Sequence, residues 1–356
     1  MVRVFYFCLM IDFLIVGGGI AGLCFAETCI QKNKSFLVLS DDCQNSSRIA
    51  GGLYNPVVLK RFTSTEDALP QIDYLDEFYA KIEHRIQVQI NFPLPLLRKF
   101  FSIEEQNNWF QAADQPLLSP FLKTEIVHKN IPFIESKFNY GQVLRTGYLD
   151  TSLFLEKYQH YLSELNLFRK ETFDYSNLII EKESIVYNDI KAKNIIFAEG
   201  FGLHSNPYFN YLPLDGTKGE LFVIRAPKLE LTEIINTSIF ILPLGNHLFR
   251  VGATYNWKDK TDVPTEEGRE ELISRIKEIL QCDFEVVSHL AGVRPTVRDR
   301  KPLLGNHENH KNIYVLNGLG TRGVLLGPYC CKLLFDYIEN NKEIPLHYSI
   351  KRLKKK

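Results

Sequence analysis

Residues 12–22 read DFLIVGGGIAG, an apolar run that ends in Gly17-x-Gly19-x-x-Gly22 and leads directly into the helix-prone segment AGLCFAET. At this spacing Gly17 lets the strand turn sharply, Gly19 lets the backbone approach a pyrophosphate, and Gly22 lets the helix lie close to the strand. The helix N-terminus favours such an anion through its N–H groups and its dipole. Because a strand precedes the glycines and a helix follows them, the stretch predicts a dinucleotide-binding site, with FAD and NAD both open.

A second apolar strand, SFLVLS at 35–40, follows the helix, so the chain opens as a Rossmann-like unit of strand, helix and strand. In such units an acidic residue near the end of the second strand binds the adenosine ribose. Here Ser40 occupies that position, and Asp41 and Asp42 follow it. Two interpretations are open: one aspartate binds the ribose, or both belong to a polar turn that caps the loop.

Periodic patterns continue through the chain without an internal repeat or a low-complexity linker. Apolar residues at helical spacing predict helices at 71–86, 149–165 and 265–280. Alternating or continuous apolar runs predict strands at 184–198, 219–225, 238–242 and 247–254. The short, Pro-interrupted segments of 87–138 indicate a mixed sheet with loops. The middle of the chain therefore reads as an inserted second domain.

Charge and cysteine usage narrow the class of protein. Lys plus Arg and Asp plus Glu number 42 each, so no overall field attracts nucleic acid or an anionic membrane. Only residues 351–356, KRLKKK, are strongly basic, and we interpret them as a solvated chain end. The seven cysteines include no CxxC pair, which indicates reduced thiols and predicts a cytoplasmic protein. No stretch reaches the roughly eighteen uninterrupted apolar residues of a membrane helix.

The first residues resemble the apolar core of a signal peptide, with Arg3 in front of residues 4–16. Cleavage there would remove the strand that leads to the glycines, and Asp12 interrupts the apolar run. We therefore interpret 11–16 as the first strand and the residues before Met10 as a dispensable extension. Met1 and Met10 both remain open as the start.

Two C-terminal segments favour FAD over NAD as the cofactor. They are AGVRPTVRDRKPLLG at 291–305 and NIYVLNGLGTRGVLLGP at 312–328, and together with the glycine loop they resemble the D-amino-acid oxidase and glycine oxidase (DAO) family of FAD-dependent enzymes. Four further segments follow in family order: SSRIAGGLYNP at 46–56, FAEG at 197–200, PLDGTKGELFVI at 213–224 and LPLGNHLFRVGATY at 242–255. The resemblance implies FAD and an α/β fold. Its parts are a Rossmann-like FAD-binding domain of the glutathione-reductase type and an inserted α+β substrate domain on a mostly antiparallel sheet.

At 356 residues the chain is long enough for about two domains. The resemblance implies that the first and last segments form the FAD-binding domain and that the middle strands form the substrate, or cap, domain. We predict a discontinuous FAD-binding domain at 11–75, 140–212 and 290–350. The substrate domain is predicted at 76–139 and 213–289, and terminal extensions at 1–10 and 351–356.

The resemblance assigns two catalytic residues. Arg294, in the turn GVRP, is implied to pair with the substrate carboxylate, a task that suits the planar fork of a guanidinium. The alternative is a structural arginine that bonds loop carbonyls. Tyr255 is implied to bond the same carboxylate or to form a wall of the pocket.

The resemblance also assigns a set of cofactor-binding residues in loops: Gly17, Gly19, Gly22, Asp41, Arg48, Gly51, Gly52, Gly200, Gly318, Gly320, Thr321 and Gly323. The helix after Gly318–Gly323 is implied to point at the flavin pyrimidine edge, where negative charge accumulates on reduction. Gly200 is alternatively a simple turn, and Arg48 and Asn55 alternatively belong to a surface loop. Residues 294–305 contain no cysteine, so we expect FAD to be bound non-covalently.

The implied activity is oxidation of a small amine or amino acid, with hydride transfer to flavin, hydrolysis of the imine and reoxidation by O2 or another acceptor. A step in tRNA wobble-uridine modification is also open, because GLYNP at 52–56 resembles a loop of those enzymes. Against it stand the lack of a fused methyltransferase domain and of a basic surplus.

The chain could instead be a flavin-binding protein without turnover, or an NAD-dependent dehydrogenase, which would lack the C-terminal segments. HENH at 307–310 lacks HExxH spacing, so we expect a solvated turn and no metal site.

Overall fold

A computed structural model describes residues 10–41, 43 and 45–353. Asp42 and the predicted terminal extensions, apart from Met10 and residues 351–353, lie outside the described residues. The helices of the described part are α1 Ile20–Gln31, α2 Ala68–Ile86, α3 Ile103–Ala113, α4 Thr151–Glu164, α5 Glu266–Lys277 and α6 Gly323–Asn340. Its strands are β1 Ile11–Val16, β2 Phe36–Ser40, β3 Leu53–Tyr54, β4 Val57–Val58, β5 Thr63–Ser64, β6 Asn91–Pro93, β7 Leu96–Lys99, β8 Leu122–Val127, β9 Tyr140–Val143, β10 Gly147–Leu149, β11 Phe168–Lys170, β12 Leu178–Ile180, β13 Ile185–Tyr187, β14 Ile190–Phe197, β15 Thr217–Arg225, β16 Ile234–Asn236, β17 Phe240–Gly245, β18 Leu248–Gly252, β19 Glu285–Arg294, β20 Leu303–Asn306 and β21 Ile313–Asn317.

The chain divides into two compact units. Unit 1 contains the described residues of Met1–Arg48, Ser152–Gly216 and Arg294–Lys356, and unit 2 contains Ile49–Thr151 and Thr217–Val293. These boundaries differ from the predicted ones mainly in 49–75 and 140–151, which belong to unit 2. The reason is local pairing, because β10 pairs with β3 on one side and with β6 on the other.

Unit 1 is built on a sheet whose central strands run parallel, in the order β11-β2-β1-β14-β21. β14 is long enough to serve two partners on one side: its first residues pair with antiparallel β13 and its last with β21. The strands are apolar because both faces of the sheet are covered, and Phe13, Leu14 and Ile15 of β1 are fully buried. This is the predicted Rossmann-like arrangement.

Helices α1 and α6 pack together in unit 1. A Cβ at Gly327 of α6 would lie 3.1 Å from Ile20 Cγ2 of α1, so a larger residue at 327 would require Ile20 to shift slightly. Below them, Phe13 of β1, Phe25 of α1 and Phe335 of α6 form an aromatic cluster with ring centroids 5.3 to 6.5 Å apart. This packing fixes both helices against the sheet edge where they begin.

Unit 2 contains a second sheet in the order β19-β15-β18-β17-β16-β7-β9-β8. The pairs β15–β18, β17–β18, β16–β17, β7–β9 and β8–β9 are antiparallel, and the pair β16–β7 is parallel. The turn between β17 and β18 consists of Asn246 and His247, both with positive φ, as a type I′ hairpin requires. The mostly antiparallel substrate domain that the sequence predicts therefore matches the observed sheet.

One prediction for unit 2 is incomplete. Residues 87–138, expected as strands and loops, also contain helix α3. Its signal is a capping pattern, since Ser102 is the N-cap and its Oγ accepts from Glu105 N–H (3.1 Å). Among the described residues, no helix has both the length and the hydropathy needed to cross a membrane.

Candidate FAD-binding site

The glycine-rich turn joins β1 to α1 at the carboxyl edge of the unit 1 sheet. Gly17 has a φ of +114°, and a Cβ there would lie 2.3 Å from the Ala198 carbonyl oxygen. A Cβ at Gly22 would lie 1.9 Å from the Gly17 carbonyl oxygen. Gly17 N–H donates to the Leu39 carbonyl and Ala198 N–H donates to the Val16 carbonyl, both at 2.8 Å. The turn is therefore fixed by the backbone of three neighbouring strands and requires glycine at both positions.

Gly18 and Gly19 complete the turn beside two serines. A Cβ at Gly18 would lie 2.8 Å from both Cβ and Oγ of Ser40, whereas at Gly19 the described part of the chain offers only Ser47, with Oγ at 3.0 Å. Ser47 Oγ also accepts from Ile20 N–H (3.2 Å). Gly19 thus has little protein around the place where a side chain would begin.

These features fit the pyrophosphate of a dinucleotide. Helix α1 is described throughout, and its N-cap Gly19 has no side-chain capping bond to offer the first-turn N–H groups. The first turn of α1 contains no acidic side chain either. A helix N-terminus whose N-cap residue has no side chain, next to an approachable backbone, favours an anion.

A second set of glycines lies at the same edge, after β14 and β21. Asn317 connects two of them, since its Nδ2 donates to the Gly200 carbonyl (2.9 Å) and its Oδ1 accepts from Gly318 N–H (2.7 Å). The next glycine, Gly320, donates its N–H to the Pro295 carbonyl (3.1 Å). All three glycines have positive φ, from +55° to +73°. The structure thus brings Gly200, Gly318 and Gly320 together, as the sequence expects of one site.

Arg294 is the last residue of β19 and is half-buried. Its carbonyl accepts from Thr296 N–H (2.8 Å), which makes a tight turn, and Pro295 in that turn accepts the Gly320 N–H described above. The backbone of Arg294 is therefore fixed against the glycine turn that precedes α6.

The N-terminal turns of α1 and α6 lie side by side. Thr321 is exposed in the 3-10 turn Gly320–Arg322, and Gly323 begins α6. A Cβ at Gly323 would lie 3.6 Å from Ile20 Cδ1 at the start of α1. Because both helices follow parallel strands, the positive ends of two helix dipoles meet at this edge.

Two acidic residues follow β2 and β14. Asp41 bonds within its own loop, where its Oδ1 accepts from Cys43 N–H (3.0 Å). Glu199 accepts from the Tyr175 hydroxyl and from Asn206 Nδ2, the latter at 2.7 Å. Burial raises the pKa of Glu199 to about 7, these two hydrogen bonds oppose that rise, and the charge of Asp41 adds to it. The ribose role of Asp41 remains a prediction.

Glu199 lies in the predicted segment FAEG at 197–200, but the sequence predicted no role for it. The segment FAEG places an acid directly after a buried strand, which is the available signal. Its partners Tyr175 and Asn206 stand 24 and 7 residues away, and no spacing rule announces them.

Gly51 and Gly52 lie in unit 2. A Cβ at Gly52 would lie 2.1 Å from the Leu149 carbonyl oxygen, and one at Gly51 would lie 2.8 Å from Phe240 Cζ. Arg250 supports this loop from β18, since its Nη1 donates to the carbonyls of Ala50 (3.2 Å) and Gly51 (3.4 Å). Burial lowers the pKa of the Arg250 guanidinium. Packing within unit 2 explains both glycines, and their contact with a cofactor remains a prediction.

Arg48 and Asn55 flank that loop. Arg48 is half-buried, and its charge adds to the larger effect of Lys157 in lowering the pKa of Glu156. Asn55 Oδ1 accepts from Val57 N–H (2.9 Å), the bond of an Asx turn. A flavin contact for either residue remains a prediction.

Tyr255 lies in unit 2, three residues after the end of β18, and is 59% exposed. The backbone next to it is fixed, because Thr254 N–H donates to the Glu220 carbonyl (3.0 Å) and Asn256 pairs with Lys218. The side chain of Tyr255 thus projects from a segment that is held on both sides.

The HENH segment forms the connection between β20 and β21. His307 and His310 stack with ring centroids 4.9 Å apart, and His307 Nδ1 accepts from Asn309 N–H (3.2 Å). Burial lowers the pKa of His307, and the nearby His310 lowers it further. Within the described residues, no group of three or more His, Cys, Asp or Glu side chains is placed to hold a metal ion.

Residues 12–337 match the family model described as FAD dependent oxidoreductase, DAO. The chain belongs to this family. Glycine oxidase from Bacillus subtilis (strain 168) is 24% identical over 259 residues, which cover 68% of each protein. The tRNA 5-methylaminomethyl-2-thiouridine biosynthesis bifunctional protein MnmC from Shewanella halifaxensis is 26% identical over 182 residues, covering 40% of this chain but only 28% of that protein. The crystal structure of glycine oxidase from Geobacillus kaustophilus superimposes with a TM-score of 0.80 at 18% identity, over 96% of this chain and 99% of that one, which shows a shared fold.

Membership of the DAO family confirms three predictions: the family itself, FAD as the cofactor, and an enzyme that is an FAD-dependent oxidoreductase. The shared fold confirms the predicted α/β class. The N-terminus of α1, with glycine as its N-cap residue and no acidic side chain in its first turn, and the space beside Gly19 are the features of this chain that suit FAD.

Proposed function

We propose that this enzyme oxidises the C–N bond of a small amine or amino acid. The match to the DAO family and the similarity to glycine oxidase from Bacillus subtilis support this substrate class. We further propose that O2 or another acceptor takes up the electrons, that FAD is held non-covalently and that the protein is cytoplasmic. Its oligomeric state is left open.

The observation that carries the proposal is the bond between Gly320 N–H and the Pro295 carbonyl. It ties the turn of Arg294, the proposed carboxylate-binding residue, to the glycine turn before α6. A cation and a helix N-terminus are therefore fixed to each other within unit 1. Such an arrangement suits a substrate that carries a carboxylate and a reaction in which negative charge develops close by.

Different residues of unit 1 are proposed to bind the cofactor and the substrate. The turn Gly17–Gly22 and the start of α1 would hold the pyrophosphate, and the start of α6 would face the part of the cofactor that becomes negative. When bound, FAD supplies a two-electron acceptor for the hydride that leaves the carbon next to nitrogen. Arg294 would orient the substrate by two parallel bonds to its carboxylate, and Tyr255 is proposed to bond that carboxylate or to form a wall of the pocket. An amine that binds neutral needs no dedicated general base, and water hydrolyses the imine.

Anaerobic mixing of the purified, FAD-loaded protein with glycine, sarcosine, proline and D- and L-amino acids tests the proposal. We expect one of these compounds to bleach the visible flavin absorbance, and admission of air then reports whether O2 restores it. A protein that stays yellow with every amine, including larger amines in a second panel, would contradict the proposed substrate class.

A second candidate is favoured by the similarity to MnmC. An FAD-dependent step on a modified uridine would use the same cofactor turn on an amine attached to RNA. Balanced charge makes nucleic acid the less favoured partner, since RNA binding normally draws on a basic surplus. Binding of tRNA that weakens steeply with salt, together with bleaching by tRNA alone, would favour this candidate.

A further inference from the structure

Strand β15 of unit 2 buries two charged side chains. Lys218 and Glu220 are two positions apart, so they lie on the same face of the strand. Lys218 is 0% exposed and Glu220 is 3% exposed. A buried charge is costly unless it is paired and hydrogen-bonded, so the partners of these two residues explain why the fold tolerates them.

Lys218 bonds to the segment after β18. Its Nζ donates to Asp259 Oδ2 (2.5 Å), to Thr261 Oγ1 (3.2 Å) and to the Val263 carbonyl. Its own backbone pairs with Asn256, N–H to carbonyl in both directions, at 2.9 and 3.0 Å. One lysine thus holds the start and the middle of a loop with its backbone and its side chain.

Glu220 holds the two ends of the same loop. Its backbone exchanges bonds with Thr254, since Glu220 N–H donates to Thr254 Oγ1 (2.9 Å) and Thr254 N–H to the Glu220 carbonyl (3.0 Å). Its carboxylate accepts from Thr265 N–H (3.0 Å) and Thr265 Oγ1 (2.7 Å). Thr265 is the N-cap of α5, and a Cβ at Gly268 in the first turn would lie 2.4 Å from the carboxylate. The helix therefore starts in contact with Glu220.

Lys218 lies between two carboxylates in this cluster. Its Nζ lies 3.6 Å from Glu220 Oε1, and Asp259, which is 26% exposed, supplies the second carboxylate. His289 Nε2 lies 2.7 Å from Glu220 Oε2. Removal of Lys218 would leave the carboxylates of Asp259 and Glu220 facing each other without the cation between them.

The loop 254–265 carries Tyr255, a residue proposed to bind the substrate. Tyr255 and Trp257 are 59% and 45% exposed, so their side chains add little to the packing that holds the loop. The position of the loop is therefore set by Lys218 and Glu220 of strand β15, which bond to it.

We propose that Lys218 and Glu220 are positioning residues for substrate binding, acting through the loop 254–265 on Tyr255. This inference rests on the proposed function only where it gives Tyr255 a substrate contact. Neither residue touches the substrate. They keep Tyr255 in one place before the substrate binds. Substrate binding then costs less conformational entropy.

Limited proteolysis of the FAD-loaded protein tests the positioning itself. Lys258 is exposed within the loop, so trypsin cleavage after it reports how often the loop opens. We expect Lys218→Met to be cut there about tenfold faster than the parent protein, with the fragment that begins at Asp259 identified by mass. Lys123→Met is the matched control, because Lys123 belongs to strand β8 of the same sheet but has a side chain that is 42% exposed and pairs with Glu125. Its cleavage after Lys258 should equal that of the parent.

Asp259→Asn carries the test if Lys218→Met does not fold. The site is partly exposed and the substitution keeps an oxygen that can accept from Lys218, so we expect a similar melting temperature and a several-fold faster amide hydrogen exchange in the loop 254–265. Hydrogen exchange is the measurement here because residue 259 directly follows the trypsin site. Cleavage at the parent rate in Lys218→Met, or exchange at the parent rate in Asp259→Asn, would overturn the proposal.

Steady-state kinetics with the amine that bleaches the flavin separate positioning from general damage. We expect KM to rise about tenfold in Asp259→Asn while kcat changes less than twofold, because ordering of the binding loop is lost before chemistry. A loop that opens with unchanged KM would overturn the role in substrate binding. If the loop opens but no amine bleaches even the parent protein, the positioning stands and the proposed amine oxidation fails.

Discussion

The carboxyl edge of the unit 1 sheet and the loop 254–265 of unit 2 are fixed by different means. The first is held by backbone: Gly17 and Gly22 contact carbonyl groups so closely that no Cβ fits. The second is held by charge, with Lys218 and Glu220 reaching from β15 to the loop. A backbone-built site tolerates no added atoms, whereas a charge-built site depends on every partner being present. The two regions should therefore fail differently when they are altered.

The largest expected effect is at Gly22. A Cβ there would lie 1.9 Å from the Gly17 carbonyl oxygen, so Gly22→Val forces α1 away from the turn. We expect a loss of at least about 3 kcal/mol in the free energy of unfolding, enough to leave little folded protein. Denaturant unfolding followed by circular dichroism measures it. Wild-type stability in this variant would mean that the turn is not rigid.

Gly19→Val sharpens the comparison inside the same turn. A side chain at residue 19 contacts only Ser47 among the described residues, so the fold should survive, but the bulk occupies the place proposed for the pyrophosphate. We expect a melting temperature within a few degrees of the parent and at least about a hundredfold weaker FAD binding. Titration of the apoprotein with FAD, followed by flavin fluorescence, gives the affinity. A fully loaded yellow variant would move the cofactor away from this turn.

Arg294→Leu tests whether a charged side chain in unit 1 binds the substrate. Loss of two charge-assisted bonds to a carboxylate should lower kcat/KM by about a hundredfold for amino acids, and much less for an amine without a carboxylate. FAD content should stay at the parent level. Arg298→Leu is the matched control, since Arg298 lies in the same segment but is 80% exposed and pairs with Asp215 at the surface. Equal kinetics in the two variants would make Arg294 a structural residue.

The smallest expected effect concerns Glu199. Because burial raises its folded pKa to about 7, the stability it contributes is fully present below its unfolded pKa near 4.5 and is lost as pH rises through about 7. Glu199→Gln keeps a group that can accept from Asn206 and cannot ionise. We expect the variant to lose less stability than the parent between pH 5 and 8, by on the order of 1 kcal/mol. Parallel pH profiles of unfolding in the two proteins would show that Glu199 has the same pKa in the folded and the unfolded parent protein.

The same contrast explains how far the sequence could be interpreted. Gly17, Gly19 and Gly22 follow a fixed local spacing. The glycine-rich turn, strand β1 and helix α1 could therefore be predicted from eleven adjacent residues. The family segments located Arg294 and the turn Gly318–Gly323. Pairs formed by charge obey no such rule, and Lys218 and Asp259 are 41 residues apart. The available signal was a lysine and a glutamate inside an apolar strand, and only folding reveals what they bond to.

The predicted domain boundaries illustrate a second limit. Residues 49–75 were placed with the FAD-binding segments because they follow β2 in family order. Pairing of β3 with β10 and close approach of Gly52 to Leu149 place them in unit 2 instead. Two-residue strands such as β3 carry almost no periodicity, so pattern analysis cannot find their partners.

The order of strands has a consequence for how the protein is made. Strand β7 pairs with β16, which leaves the ribosome about 140 residues later, and β14 waits for β21, which begins more than 100 residues after it. Neither sheet is complete until most of the chain has been synthesised, and pairing between such distant segments is slow. During translation strand β7 therefore stays without its partner β16 until most of unit 2 has been made, and we expect the yield of folded enzyme to respond to translation speed.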